Sequence, residues 1–394
     1  MLNFLTKSLS AEIVNFVDCI KSKCNHIITG GFTKSAFTQA RKKIKAEGFL
    51  DLSQLLVKEF YEDEDGHTIK KWKGHRILAT DGSQVTLPNT EELYEEFGSP
   101  SNQQGESKNL VQGRVSVLYD VLNHYILDSA LSALETGERI LAIDHLDYAK
   151  PTDVIIYDRG YPSFDFIYEH KKRDLDFVIR TKLDFNKLVK SFVKSNSSSK
   201  IVDFIPSSKS SFEGYGKDKK IRVRLVKVEL DNGEIEVLIT SLIDEEKYPT
   251  KIFKQLYFKR WGVETLYDEL KHKLKLENFS GYSYNSIMQD FYIMIFTSNV
   301  QTLIVGDLEE TLNQNSEKKY RYKVNTSLSY GFMKNRILQL YFDNKNSENV
   351  LEELQNLFTK HLVPIRPNRS FERKKKKYRG KSKPIVPKNR KDAF

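Results

Sequence analysis

At 394 residues, 39% hydrophobic and 29% charged, the chain has material for two or three domains with a large core and excludes a disordered or fibrous protein. Two cysteines, Cys19 and Cys24, exclude a disulfide framework and fit a reducing compartment; with His26 they give three local ligands, one short of a structural zinc site. The net charge of +10 is concentrated, since 13 of the 63 basic but two of the 53 acidic residues fall in 366–394, so this tail carries +11 and residues 1–365 carry −1.

The N-terminal apolar stretch is broken by Lys7 and Glu12 and lacks a basic start, so no signal peptide is expected. Residues 1 to about 62 read as helices. Ile13, Val14, Val17 and Ile20 recur at helical spacing, Thr33 or Ser35 can cap a second helix through Ala46, and a third helix follows a break at Gly48, over 52–61. On the second helix Arg41, Lys42 and Lys43 lie beside Phe37 and Ala40. Such cations suit a DNA-contacting module or, equally, the solvated face of an ordinary bundle.

From Arg76 the pattern changes to strands at 77–80, at 115–119 and 125–131 around a turn at Asn123, and at 154–157. Helical stretches at 138–148 and 163–173 flank the last of these, and a strand at 177–181 follows. Strand, hairpin, helix, strand, helix, strand predicts an α/β mixed sheet flanked by helices. The polar stretch 191–220, with nine serines, predicts a loop-rich insertion, and 182–224 holds 11 basic against four acidic residues. A hairpin pairs 221–230 with 234–243 through Asp231, Asn232 and Gly233. A long helix is expected over 251–276 and an apolar one over 285–305. The longest uncharged run, 291–306, contains Thr297, Ser298, Asn299 and Gln301 and is too short and polar to span a bilayer. There is no internal repeat.

Asp81 follows the first strand in Ala-Thr-Asp-Gly-Ser, and Asp158 follows the apolar strand 154–157 in Tyr-Asp-Arg-Gly-Tyr. Each alone is ordinary turn chemistry. Carboxylates at the ends of neighbouring strands, however, are what a hard cation requires. On the helix 251–276, at about 100° per residue from Tyr257, Arg260 falls near 300°, Glu264 near 340° and Lys271 near 320°. This narrow polar face borders an apolar stripe of Val263, Leu266, Tyr267, Leu270 and Leu274. A solvated helix with an i, i+4 pair of Arg260 and Glu264 is the alternative.

The spacing Tyr257-x2-Arg260-x3-Glu264-x6-Lys271 resembles the Tyr-Arg-Glu-Lys signature of bacterial insertion-sequence transposases of the IS-four type, members of the Asp-Asp-Glu (DDE) recombinases. The strings around Asp81 and Asp158 resemble that family's first two acidic motifs. Residues 277–281 and 289–292 resemble its usual continuation, and 36–42 its N-terminal helix, so the likeness runs from about residue 30 to the tail.

The resemblance implies an RNase H-like catalytic core with a β-rich insertion, a small N-terminal helical domain and a basic disordered tail. It divides the chain into a helical DNA-binding domain (1–70), the core in two parts (71–181 and 251–310) around the insertion (182–250), a C-terminal helical region (311–365) and the tail (366–394). It further implies that Asp81, Asp158 and Glu264 hold two Mg²⁺ ions, with Mn²⁺ able to substitute. One ion would activate water and later a DNA 3′-hydroxyl, and the other would stabilise the leaving oxygen. Tyr257, Arg260 and Lys271 would grip DNA phosphate.

Transposon ends and target DNA are the implied partners, with a homodimer in the synaptic complex. The expected location is cytoplasmic and nucleoid-associated, without membrane contact. Some relatives stack a flipped base on a tryptophan of the insertion. This chain has only Trp72 and Trp261, neither in that segment, leaving Phe204, Phe212, Tyr215 or Tyr248 to offer a face. In the tail, Arg373, Lys374, Lys375, Lys376 and Lys377 head a proline-interrupted cationic run suited to tracking phosphates without sequence preference. A nuclease that cleaves without joining, or a silent descendant that only binds DNA, shares most of these features.

Overall fold

The computed structural model describes residues 9–23, 30–63, 69–102, 105–106, 110–206, 220–314, 320–334, 336–342 and 347–366. These fall into two compact units, one drawn from 1–67, 85–113 and 270–394, the other from 68–84 and 114–269.

The second unit is organised by an eight-stranded mixed sheet. Its spatial order is Ile126–Ala133, Val111–Asp120, Ile77–Leu87, Val154–Tyr157, Asp176–Thr181, Ile235–Thr240, Ile221–Glu229 and Ser199–Phe204. Val154–Tyr157 pairs in parallel with Ile77–Leu87 on one side and with Asp176–Thr181 on the other. All four of its residues are fully buried, because a parallel strand covered on both faces demands an unbroken apolar run rather than alternation. From Asp176–Thr181 outward the pairing is antiparallel through the last three strands. The hairpin expected at 221–243 therefore extends the same sheet.

The stretch expected to be loop-rich is more ordered than its composition suggested. Lys187–Lys194 is a helix capped by the Asn186 side chain, which accepts from the Val189 N–H at 2.9 Å, and Ser199–Phe204 is the outermost strand. Exposure of Lys200, Ile201 and Asp203 on that edge explains its polar sequence. Residues 207–219, with Phe212 and Tyr215, lie outside the described residues.

The long helix expected over 251–276 is three shorter pieces, Phe253–Phe258, Trp261–Asp268 and a π-helical turn at Glu269–Lys273. At the first joint Lys259, Arg260, Gly262 and Val263 donate to carbonyls three residues back instead of four. Gly262 suits this joint, since an added Cβ would meet Val121 Cβ and Cγ1 at 3.3 Å.

In the first unit the helix Tyr284–Gln314 is the spine against which Glu47–Glu62 packs. The Asn299 amide donates to Ser53 Oγ at 2.9 Å where both are buried. A core of Val300, Ile304, Val305, Val324, Met333, Leu354 and Phe358 joins that spine to the later helices Thr326–Lys334 and Ser347–Lys360 and to the ribbon Arg321–Val324 with Leu362–Ile365. Thr33 caps the helix Lys34–Arg41, as its sequence predicts, accepting from the Ala36 N–H at 3.1 Å. That helix ends at Arg41 rather than Ala46, and Gly48 lies inside the next helix rather than at a break. Among the described residues no helix is long and apolar enough to cross a membrane.

Candidate active site

Two of the three expected acids are set by the sheet. The parallel register pairs Ile77 with Val154 and Ala79 with Ile156; continued by two residues, it brings Asp81 alongside Asp158 on the same face. Asp81 lies within its strand, which runs on to Leu87, and not in a turn after Thr80. Its carboxylate accepts from the Gly82 N–H at 2.9 Å, and its backbone carbonyl accepts from the Tyr267 hydroxyl at 2.8 Å. Asp158 accepts from the Arg159 N–H at 2.6 Å.

The third acid, Glu264, comes from Trp261–Asp268. Arg260, whose side chain is 4% exposed, donates through Nη2 to Glu264 Oε1 at 2.8 Å and places Nη1 3.8 Å from Asp81 Oδ2. The Tyr257 hydroxyl lies 3.4 Å from Asp158 Oδ1. The tightened joint explains why Arg260 and Tyr257 lie together. Residues three apart eclipse one another in 3₁₀ geometry, and the Arg260 guanidinium lies 5.9 Å from the Tyr257 ring centroid.

The sequence did not single out Arg180, although a cation inside the apolar strand Asp176–Thr181 was the available signal. Arg180 binds Asp158 through Nη2 at 2.6 Å and Nε at 2.9 Å, forms a second ion pair with Glu236, and places its guanidinium carbon 5.9 Å from the Tyr257 ring centroid. Glu138, first in the helix Glu138–Asp144, pairs with Arg114 and packs against Gly82, where an added Cβ would meet Glu138 Cγ at 3.0 Å.

These surroundings push the two aspartates apart. Burial raises the Asp81 pKa to about 6, opposed by the Gly82 N–H and Arg260 and reinforced by Asp158 and Glu138. Burial also pushes Asp158 upward, but the Arg159 N–H, Arg180 and Arg260 outweigh it and hold the carboxyl below the ordinary range. Tyr257 is raised above 10, chiefly by burial, and stays a hydrogen-bond donor.

Among the described residues no three His, Cys, Asp or Glu side chains are gathered tightly enough to hold a metal ion. The carboxylates surround the Arg260 and Arg180 guanidinium groups instead. The donor set nonetheless suits a hard divalent cation: every donor is a carboxylate oxygen, and Asp81 is a desolvated carboxyl whose ionised form gains from a neighbouring cation.

The other expected site residues are differently placed. Lys271 lies in the π-helical turn, so an α-helical projection from Glu264 no longer sets its direction; it is half-buried, and burial lowers its pKa against the raising effect of Glu277. Arg41 does not face solvent, contrary to the expectation of a DNA contact. It is buried and donates to Gln289 Oε1 at 2.6 Å, Ser280 Oγ at 2.6 Å, the Ser286 carbonyl at 2.9 Å and Asp290 Oδ1 at 3.1 Å. Lys42 and Lys43 follow the helix and are exposed. Arg373 and Lys374 to Lys377 lie outside the described residues, as do Cys24 and His26. Phe204 is buried in stacks with Phe164 and Phe185, and Tyr248 is buried with its hydroxyl 2.6 Å from His75 Nε2, so neither offers a stacking face.

A family model described as the transposase DDE domain matches residues 72–300. Transposase InsG for insertion sequence element IS4, from Escherichia coli (strain K12), is 22% identical over 252 residues, covering 61% of this chain and 53% of that protein. InsZ of the same organism, also named a transposase, is 24% identical over 136 residues, covering 34% of this chain and 44% of its own length. The chain thus spans about half the length of these curated relatives. Among solved structures, a piggyBac transposase synaptic complex with hairpin DNA aligns with a TM-score of 0.42 at 11% identity, covering 75% of this chain and 59% of that one.

Proposed function

The chain belongs to the transposase DDE-domain family, and from that premise we propose that it is a DNA transposase with an RNase H-like core, which cuts the ends of an insertion sequence and joins them to target DNA. The observation that carries the assignment is the placing of Asp81, Asp158 and Glu264, from two adjacent parallel strands and one helix, around Arg260 and Tyr257. A structural ion-pair network has no need of three carboxylates from separate elements beside two guanidinium groups and a phenol. A phosphodiester does, because its charge must be held and its reacting oxygens polarised.

Asp81, Asp158 and Glu264 would hold the divalent cations, Mg²⁺ by preference. Cations so held supply the positive charge that polarises the scissile phosphate and lowers the pKa of an attacking hydroxyl. Arg260 and Arg180 present planar donors suited to bidentate phosphate contact, and each now neutralises a carboxylate that a cation would neutralise instead. With cation held there, Arg260 would be free to take DNA phosphate, and Arg180, still paired with Glu236, would turn its Asp158-facing donors to it. Tyr257, raised by burial and hence protonated at working pH, donates its hydroxyl hydrogen beside them. Lys271, Lys42, Lys43 and the basic tail from Arg373 to Lys377 would add phosphate contacts whose affinity falls steeply with salt. Two element ends must be held together for joining, so the working unit is at least a homodimer, acting in the cytoplasm at the nucleoid.

The test is a strand-transfer assay on DNA carrying the element's own ends, with Mg²⁺. Wild type cleaves and joins, whereas Glu264→Gln binds ends but does neither. Full activity in that variant would remove Glu264 from the site, and cleavage without joining by wild type would make the protein a nuclease.

A further inference from the structure

The turn after Asp158 is closed by the Tyr161 N–H, which donates to the Asp158 carbonyl at 3.2 Å and brings the side chain three positions onward back to the acid. Tyr161 is 1% exposed, with its ring 5.2 Å from that of Tyr157 and 5.6 Å from that of Phe166. Its hydroxyl is buried and makes no hydrogen bond among the described residues.

The neighbouring phenols contrast with it. The Tyr157 hydroxyl meets His170 Nε2 at 2.8 Å, that of Tyr267 reaches the Asp81 carbonyl, and that of Tyr257 approaches Asp158. A buried hydroxyl with no partner has given up its hydrogen bonds to water for nothing in this state, so each such group asks for an explanation. The charges that act on Tyr161 are the carboxylates of Asp81, Glu138 and Asp158, opposed by Arg114. Burial and these carboxylates hold the phenol well above its ordinary pKa, which keeps it a donor. A buried donor thus lies within the electrostatic reach of three carboxylates, two of which belong to the expected cation site.

We propose that Tyr161 is a positioning residue for that site, its hydroxyl donating to the Asp81 carboxylate once this carboxylate turns to hold a divalent cation. The inference rests on the assignment of Asp81, Asp158 and Glu264 as cation ligands. A hydrogen bond from behind fixes the orientation of a ligating oxygen, and losing such a bond weakens metal affinity by about 10- to 100-fold.

Mn²⁺ binding to the full chain, followed by the electron paramagnetic resonance of the free ion and normalised to folded fraction by circular dichroism, tests this without any DNA. Three proteins are compared: wild type, Asp81→Asn and Tyr161→Phe. Asp81→Asn is expected to lose the site. Tyr161→Phe is expected to bind about tenfold more weakly, while its metal-free melting midpoint stays level with wild type or rises, because the substitution removes an unsatisfied group and leaves the ring. Superimposed wild-type and Tyr161→Phe titrations, with the site lost in Asp81→Asn, would overturn this inference alone. Indistinguishable wild-type and Asp81→Asn titrations would overturn the cation site itself and this inference with it. A metal-free midpoint that falls in Tyr161→Phe would assign the residue to packing and overturn the positioning role.

Discussion

Arg41→Met separates two accounts of the helix Lys34–Arg41, as a cationic face for DNA or as a strut of the first unit. The substitution leaves the Gln289 Oε1 acceptor and the Ser286 carbonyl without the donors they now have, while Asp290, 0% exposed, keeps the Ser280 N–H at 2.6 Å and its hydroxyl. Removing one partner of a buried ion pair costs about 3–5 kcal/mol. The donors that Asp290 retains place this case at the lower end, about 3 kcal/mol. For a unit of this size that is a fall of roughly 10 °C in melting midpoint. Adding Asp290→Asn should restore part of the loss, since a neutral amide is cheaper to bury than an unpaired carboxylate. Thermal unfolding by circular dichroism gives the first readout, and the salt dependence of duplex DNA binding gives the second. The slope of log affinity against log salt should not change. An unaltered midpoint together with a slope reduced by about one, the value of a single lost phosphate contact, would refute the strut.

Two further outcomes follow from the second unit. His170 is fully buried; its Nδ1 donates to the Phe166 carbonyl at 2.8 Å, and burial lowers its pKa from 6.5 to about 4. Since the folded pKa is the lower one, its contribution is complete above pH 6.5 and is withdrawn as pH falls from 6.5 to about 4, amounting to about 3 kcal/mol. Urea unfolding of wild type and His170→Gln at pH 7 and pH 4.5 checks this, and stabilities that fall in parallel would count against it. Arg180→Met removes a guanidinium that holds Asp158 ionised against burial, so the Asp158 carboxyl should titrate at higher pH in the metal-free protein, read by carboxyl NMR; an unmoved titration would show that Arg180 does not govern Asp158.

The central strands were legible because their signal is local. Val154–Tyr157 is an apolar run of the length of a buried parallel strand, and it appears with those limits. Asp81, Asp158, Tyr257, Arg260 and Glu264 were singled out as candidates by their motifs and the resemblance these carry, and the structure brings these five side chains together. What was not legible depends on contacts distant in sequence. Arg41 looks like any surface cation until Asp290, 249 positions away, is folded against it. Ser199–Phe204 reads as polar loop because only pairing with Ile221–Glu229 makes it a strand. The joint at Arg260 and the π-helical turn at Glu269–Lys273 have no marker in side-chain periodicity, which assumes one uniform helix from end to end.

The parallel register, continued two residues past Ala79 and Ile156, sets Asp81 opposite Asp158 at the strand-to-strand spacing of about 4.8 Å. Their separation follows in the main from the backbone ladder that ends just before Asp158. Glu264 is mounted differently, on a short helix reached only after the chain has run to the far edge of the sheet and back. Tyr257 and Arg260 share that mounting, so the helical side of the site is carried by one run of chain and the paired aspartates by another.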